Sequence, residues 1–316
     1  MRHLITVCLL TLAIATVAGQ SPERPFADES AGRDQIVRAL VAVFDRADIL
    51  ALGEAHGRQA DSDLRIALVR DPAFAKKVRA IVVEFGSTTE QDTLDRYVRG
   101  EAVSPAQLAR VWQTTTQPGI AEGGTSRFYV EFFNAVRDVN AHLPADARIR
   151  VLGGDPGPTD HRSRETAAVS VLKEQVLQKH QKALVVYGAA HFYRTLPKGY
   201  LASMGTDTGL VRRLDAEFPG RTVVVIPVGG PAARLPGVTI AAPDYRKFDR
   251  ALHTTTRPVL VPLQRVPFRD LSADEFLGPG LLSCQPPGGC RSAFTGSRIT
   301  LGQVADAAVY FGSAVS

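Results

Sequence analysis

The chain has 316 residues, 45% of them hydrophobic, and 37 Lys+Arg against 32 Asp+Glu give a formal charge of +5. A chain of this length buries about three quarters of its unfolded surface and needs no metal or disulfide staple to fold. The basic residues are scattered and not interleaved with aromatics, which excludes a nucleic-acid footprint.

Met1-Arg2-His3 is a short positive start. Residues 4–17 are almost wholly apolar, small Ala18 and Gly19 follow, and Gln20-Ser21-Pro22-Glu23 turns polar. That order predicts a secretory signal over 1–19, with an uncleaved anchor as the alternative, and places the protein in a secreted or periplasmic compartment. The apolar run falls short of the roughly 20 residues of a spanning helix. No later stretch is long and apolar enough, so no membrane span is expected after signal cleavage. Residues 20–30 read as a flexible lead-in and 31–316 as a single α/β domain. Cys8 leaves with the signal. Cys284 and Cys290, separated by Gln-Pro-Pro-Gly-Gly, read as a disulfide in an oxidising compartment. The loop is short, so the stabilisation expected is about 2–3 kcal/mol. A metal site there would need further ligands nearby, and the sequence has none.

Helical spacing appears at 34–46, with Ile36, Val37, Leu40, Val41 and Phe44 on one face, and again at 61–69, 89–99, 104–113, 125–142, 161–180 and 209–218. A loop at 114–124 precedes the fifth of these. Short apolar runs predict strands at 48–52, 79–85, 148–152, 183–187 and 222–228, with a last one at 307–311. Near-continuous apolar strands alternating with helices predict an α/β fold: a mainly parallel sheet covered by helices on both faces. Residues 229–300 are rich in Pro and Gly, and a lid, a small subdomain or long loops are all open there.

Ligands of open parallel sheets bind outside the carboxyl ends of the strands. The first strand ends in Gly53-Glu54-Ala55-His56, the second carries Glu84, the third ends at Asp155, and the fourth ends in Gly188-Ala189-Ala190-His191 with Tyr193 and Arg194 behind. Singly, each has a bland reading. Glu54 suits a helix N-terminus, Asp155 before Pro156 suits a turn, either histidine suits a turn or core, and Arg194 suits a surface ion pair. Glu84 is harder to dismiss, because it interrupts an apolar strand where a carboxylate is costly without a partner. Gly53 and Gly188 each lie three residues before a histidine, where glycine permits close backbone approach. Glu54, His56, Glu84 and His191 are therefore the expected catalytic set, with Asp155, Tyr193 and Arg194 in support. The same four residues suit acid–base activation of water or an oxygen/nitrogen metal site, and the sequence leaves both open.

No Gly-x-Ser-x-Gly elbow, Walker loop, dinucleotide fingerprint or His-Glu-x-x-His is present. The ordered motifs resemble those of the erythromycin esterase / ChaN-like / Tiki–TraB superfamily. The matching positions are Gly53-Glu54-Ala55-His56, Glu84 and Gly188-Ala189-Ala190-His191, and residues 305–311 resemble that group's C-terminal strand. The resemblance implies one of three activities: lactone hydrolysis by histidine and glutamate, metal-dependent proteolysis, or haem binding in iron uptake. The Glu-x-His spacing is closest to the ChaN-like form, whereas Gly57-Arg58-Gln59-Ala60-Asp61 lacks that form's further histidine. The expectation is a secreted or periplasmic hydrolase acting on a small-molecule or peptide substrate. His56 would be the base, Glu54 and Glu84 would orient it or hold a metal, and His191 would stabilise charge or act as an acid. The alternatives are a haem- or metal-binding protein without turnover and a non-catalytic member of the fold.

Overall fold

The computed structural model describes residues 25–121, 124–197, 200, 209–229, 244–277, 281–284 and 290–313. The expected signal at 1–19 lies outside them. The described part of the expected lead-in is packed, not free: Phe26 is buried and Ser30 pairs with Leu260.

In chain order the elements are β1 (Ser30–Ala31), α1 (Arg33–Val43), β2 (Ile49–Glu54), α2 (Gln59–Arg70), α3 (Pro72–Lys77), β3 (Ala80–Ser87), α4 (Gln91–Val98), α5 (Pro105–Gln113) and α6 (Ser126–Ala141). They continue with β4 (Arg150–Asp155), α7 (Arg164–Gln175), β5 (Ala183–Gly188), α8 (Leu210–Glu217), β6 (Thr222–Val228), α9 (Arg246–Ala251) and β7 (Val259–Pro262). The chain closes with α10 (Ala273–Leu277), β8 (Leu282–Cys284), β9 (Cys290–Ser292), α11 (Leu301–Val304) and β10 (Ala307–Tyr310).

Eight strands form one sheet in the order β1-β7-β10-β6-β2-β5-β3-β4. The six from β10 to β4 are parallel, and β7 runs antiparallel to both β10 and β1. The mainly parallel α/β sheet expected from the apolar runs is present. Alternation along each strand splits the core into two layers. Ile49 and Ala51 of β2 pack in one, with Leu172, Leu214 and Phe248, while Leu50 and Leu52 pack in the other, with Leu40, Leu68 and Phe132. Helices therefore cover both faces. None of those among the described residues is long and apolar enough to cross a membrane.

The run expected over 161–180 divides into α7 and a short turn at Leu177–Lys179. Ser163 starts α7 by accepting from the Thr166 amide. β7 was not legible in the sequence, because it is a four-residue run inside the Pro- and Gly-rich 229–300. In the hairpin β8–β9 the backbones of Cys284 and Cys290 stand opposite each other, and their side chains lie outside what is described.

β2 and β5 stay in register to their last residues, pairing Glu54 with Gly188. β3 pairs with β5 only as far as Val83, and its register with β4 shifts between Val83 and Ser87. The sheet thus opens at Glu84. At the outer edge, Gln91 stands in for a missing strand: its amide donates to Val151 O at 2.8 Å, and its carbonyl accepts from Gly153 N at 2.9 Å. Gln91→Leu leaves both buried backbone groups unpaired. The urea midpoint should fall by the equivalent of about 1–3 kcal/mol with an unchanged slope. An unchanged midpoint would mean that solvent already serves this edge.

Candidate active site

Glu84 lies where β3 parts from β5. It is 5% exposed, so both carboxylate oxygens need partners. Oε2 accepts from the Gly188 amide at 2.6 Å, replacing the strand partner lost at the splay. Oε1 accepts from Arg164 Nη1 at 2.5 Å and stands 3.2 Å from His191 Nε2. His56 Nε2 approaches Oε2 at 3.9 Å.

Glu54, at the end of β2, holds the second carboxylate. Its Oε2 pairs with Arg65 from α2, a guanidinium only 3% exposed and seated over the rings of Phe85 and Phe132. Its Oε1 lies 3.0 Å from His56 Nδ1. A carboxylate accepts, so Nδ1 carries the proton in the neutral ring and Nε2 holds the lone pair. His56 is the exposed member of the group, its side chain 36% accessible.

His191 is buried behind Glu84. Its Nδ1 lies 2.8 Å from Glu165 Oε1, in the first turn of α7, and its Nε2 faces Glu84. Both ring nitrogens donate to carboxylates, so the ring is held as an imidazolium. Gly188 is required for close approach, since its φ of −49° is open to any residue. A Cβ there would stand 2.9 Å from His56 Nε2.

Asp155 lines the same cleft, but its oxygens are committed. Oδ1 accepts from the Thr116 and Gly157 amides at 2.8 Å each, and Oδ2 from the Thr116 hydroxyl at 2.6 Å. It pins the loop that carries Gln117, whose Oε1 accepts from Arg164 at 2.8 Å. Asp155 thereby acts on Glu84 only through Gln117 and Arg164. The cleft is completed by Phe85, Trp112, Thr115 and Tyr129.

Two expected supporting residues are elsewhere. Arg194 pairs with Asp306 at 2.7 Å and Asp215 at 3.3 Å and donates to Thr222 O at 2.9 Å. Thr222 begins β6 and Asp306 precedes β10, so Arg194 ties the amino ends of parallel strands, the opposite edge from the site. Tyr193 is buried against Phe294 and does not line the cleft. Both were placed by proximity to His191 in sequence, but the chain turns back over the sheet after the short helical turn Ala189–Phe192. Sequence reasoning missed Arg65, Arg164, Glu165 and Gln117. Arg65 did leave a signal, as a charge among Leu64, Leu68 and Val69 on the buried face of α2.

Burial would raise the Glu84 carboxyl, but the His191 charge and hydrogen bond, with His56 and Arg164, hold it well below the usual carboxylate range. Burial would likewise lower His191, yet Glu84 and Glu165 push it up to about 9. Burial opposes His56 too, and the bond from Glu54 together with the Glu84 charge leaves it raised. Glu54 and Glu165 are both lowered, against burial, by Arg65 and His191 respectively. Three carboxylates thus face two guanidiniums and one imidazolium, a balance that leaves His56 as the group free to titrate.

This donor set does not fit a divalent metal. Glu54 and Glu84 are satisfied by guanidinium, imidazole and amide donors. Among the described residues no three His, Cys, Asp or Glu side chains are arranged to hold an ion. His191 offers no lone pair to a haem iron, and of the two histidines only His56 presents one.

No protein-family model matches the sequence, and no curated protein matches it. Solved structures do match in fold. A Bacillus cereus protein is 12% identical, with 89% of this chain and 92% of that one covered and a TM-score of 0.54. A succinoglycan biosynthesis protein is 10% identical, with coverages of 85% and 88% and a TM-score of 0.56. An erythromycin esterase mutant in its open conformation is 10% identical, with coverages of 90% and 94% and a TM-score of 0.49. At these identities the likeness is one of fold alone, and it fixes no reaction.

The raised pKa of His191 has a signed consequence. Its contribution to stability is whole below pH 6.5, the ordinary histidine value, and is lost as pH climbs through about 9. Glu84→Gln removes the larger of its two charge partners. The decline in urea stability over that window should become shallower, and the His191 ring should titrate lower by NMR. An unshifted midpoint would show that Glu84 does not hold the charge.

Proposed function

We propose that this protein is a hydrolase of the erythromycin esterase/ChaN-like fold that activates water with His56 to cleave an ester or related carbonyl bond. The observation that carries the reading is the Glu54–His56 pair, with Nδ1 bonded to the carboxylate at 3.0 Å and Nε2 left facing the cleft beside Glu84. Glu54 is itself anchored by Arg65, so the imidazole has a fixed orientation and tautomer.

The 3.9 Å between His56 Nε2 and Glu84 Oε2 is a span that one water bridges with two hydrogen bonds of about 2.8 Å. Such a water gives one proton to each group and turns its lone pair toward the cleft. His56 removes a proton as the oxygen bonds to the carbonyl carbon, and the resulting imidazolium is stabilised by Glu54. The carbonyl π pair moves to oxygen. Collapse restores the double bond, expels the leaving oxygen or nitrogen, and returns the proton from His56 to it. Arg164 and Gln117 lie on the cleft wall where the substrate's polar end would rest. His191 acts through Glu84, as a positioning residue. The cavity at the base of the cleft is about 20 Å³, room for the attacking water and not for a whole substrate group, so the carbonyl would approach from the open mouth. The signal-like residues 1–19 support export, and so a secreted or periplasmic place of action.

A panel of aryl esters, lactones and peptide amides incubated with the purified protein tests the reading. No turnover of any would overturn it. His56→Ala should lower kcat by about 10²–10⁴-fold without loss of fold. Because His56 must be neutral to act and its pKa is raised, the acid limb of kcat/KM should fall above pH 6.5. A limb below that value would assign the base elsewhere.

A further inference from the structure

Tyr129 carries a hydroxyl that none of the described residues uses. It projects from α6 into an aromatic group, its ring stacked on Phe85 at 4.2 Å and 3° and lying 6.0 Å from Trp112. Phe132 and Phe133 of the same helix meet the other side of that group at Phe85. Phenylalanine would fill this place equally well. The residue is only 2% exposed, and a hydroxyl in so apolar a place is unfavourable unless it finds a partner. Among the described residues the Tyr129 hydroxyl has no hydrogen-bond partner. Nor is it sealed from solvent, as the unpartnered Tyr187 hydroxyl is. Tyr129 lines the cleft together with His56 and Glu84.

The side-chain oxygens of the cleft's other residues are already engaged, Gln117 Oε1 by Arg164. The Thr115 hydroxyl donates to Trp112 O at 2.8 Å, Asp155 is filled by Thr116 and Gly157, and Glu84 is filled by Gly188, Arg164 and His191. Among the described residues the Tyr129 phenol is therefore an O–H donor without a partner, on a rigid ring, in the wall that also carries His56 and Glu84.

We propose that Tyr129 is a catalytic residue of the hydrolysis, its hydroxyl donating a hydrogen bond to the oxyanion that forms when water adds to the substrate carbonyl. The step adds no new co-reactant. The π pair of the carbonyl settles on oxygen, Tyr129 keeps its proton while donating to it, and the bond weakens again when the double bond returns. Burial first, and then the charges of Glu54 and Glu84, keep the phenol protonated throughout the working pH range. A preorganised neutral donor beside buried carboxylates suits this task, because charge develops there only in the transition state.

The assignment rests on the hydrolase reading, so the experiment separates the two. Tyr129→Phe retains the ring, its stacking and its volume, and its thermal melt should match that of the wild type. With the substrate turned over best in the panel above, kcat should fall by about 10–10³-fold while KM changes little. Affinity for a non-hydrolysable aryl methylphosphonate monoester, which imitates the tetrahedral anion, should fall at least tenfold by calorimetry. Unchanged kcat and unchanged phosphonate affinity in a well-folded variant overturn the role of Tyr129 and leave the hydrolase standing. Equal losses in KM and melting temperature without a loss in kcat also overturn it, in favour of packing. Absence of turnover and of phosphonate binding by the wild type overturns both.

Discussion

A carboxylate buried in the middle of the sheet is the constraint on which the site depends. Glu84 stands where β3 parts from β5 and is 5% exposed. Breaking a buried ion pair by removing one partner typically costs about 3–5 kcal/mol, so every donor around Glu84 is held in place by the same requirement that it be satisfied. The Gly188 amide comes from β5, Arg164 from the start of α7, and His191 from the turn after β5. Glu84 thus draws the end of β5 with its following turn, and the start of α7, to its own strand. Gly188 stays small because of His56, whose Nε2 would stand 2.9 Å from a Cβ there.

From that anchor the rest follows by charge balance. The imidazolium of His191 needs a second carboxylate, which Glu165 supplies, and Arg164 needs orientation, which Gln117 supplies from a loop pinned by Asp155. Glu54 with Arg65 forms a second buried pair on the other side of the cleft. Two sets of fixed charges then flank one histidine that is partly open to solvent. The arrangement suits a base whose orientation is held by its neighbours and whose protonation responds to the medium.

The shared fold and the local chemistry carry different weights. Solved proteins of 10–12% identity have the same α/β arrangement, which speaks for a scaffold that brings strand ends together. What the scaffold is used for is decided by a handful of polar side chains and by the aromatic wall of Phe85, Trp112 and Tyr129 that bounds them.

The expected strands at 48–52, 79–85, 183–187 and 222–228 coincide closely with β2, β3, β5 and β6, because buried parallel strands are continuous apolar runs and local composition reveals them. β7 escaped notice, being four residues long in a Pro- and Gly-rich stretch. Glu54, His56, Glu84 and His191 were legible for the same local reason: each interrupts or ends an apolar run, where a polar residue needs an explanation. Their convergence was only an expectation until the register of β2 with β5 and the splay of β3 placed each within 4 Å of the next, His56 facing Glu84 at 3.9 Å. The partners Arg164, Glu165 and Gln117 lie at a helix start and on a loop, where polar residues are ordinary and sequence gives no reason to single them out, whereas Arg65 could have been found as a charge on the apolar face of α2. Arg194 shows the converse, since closeness in sequence to His191 did not survive the turn of the chain toward the opposite edge of the sheet. The α/β scaffold and the strand-end polar residues are written in burial patterns that act over a few neighbours, and local sequence suffices to read them. Which charges neutralise one another, which histidine keeps a lone pair, and that Tyr129 lines the cleft without a partner among the described residues came from the folded chain alone, because those are properties of groups brought together from distant parts of it.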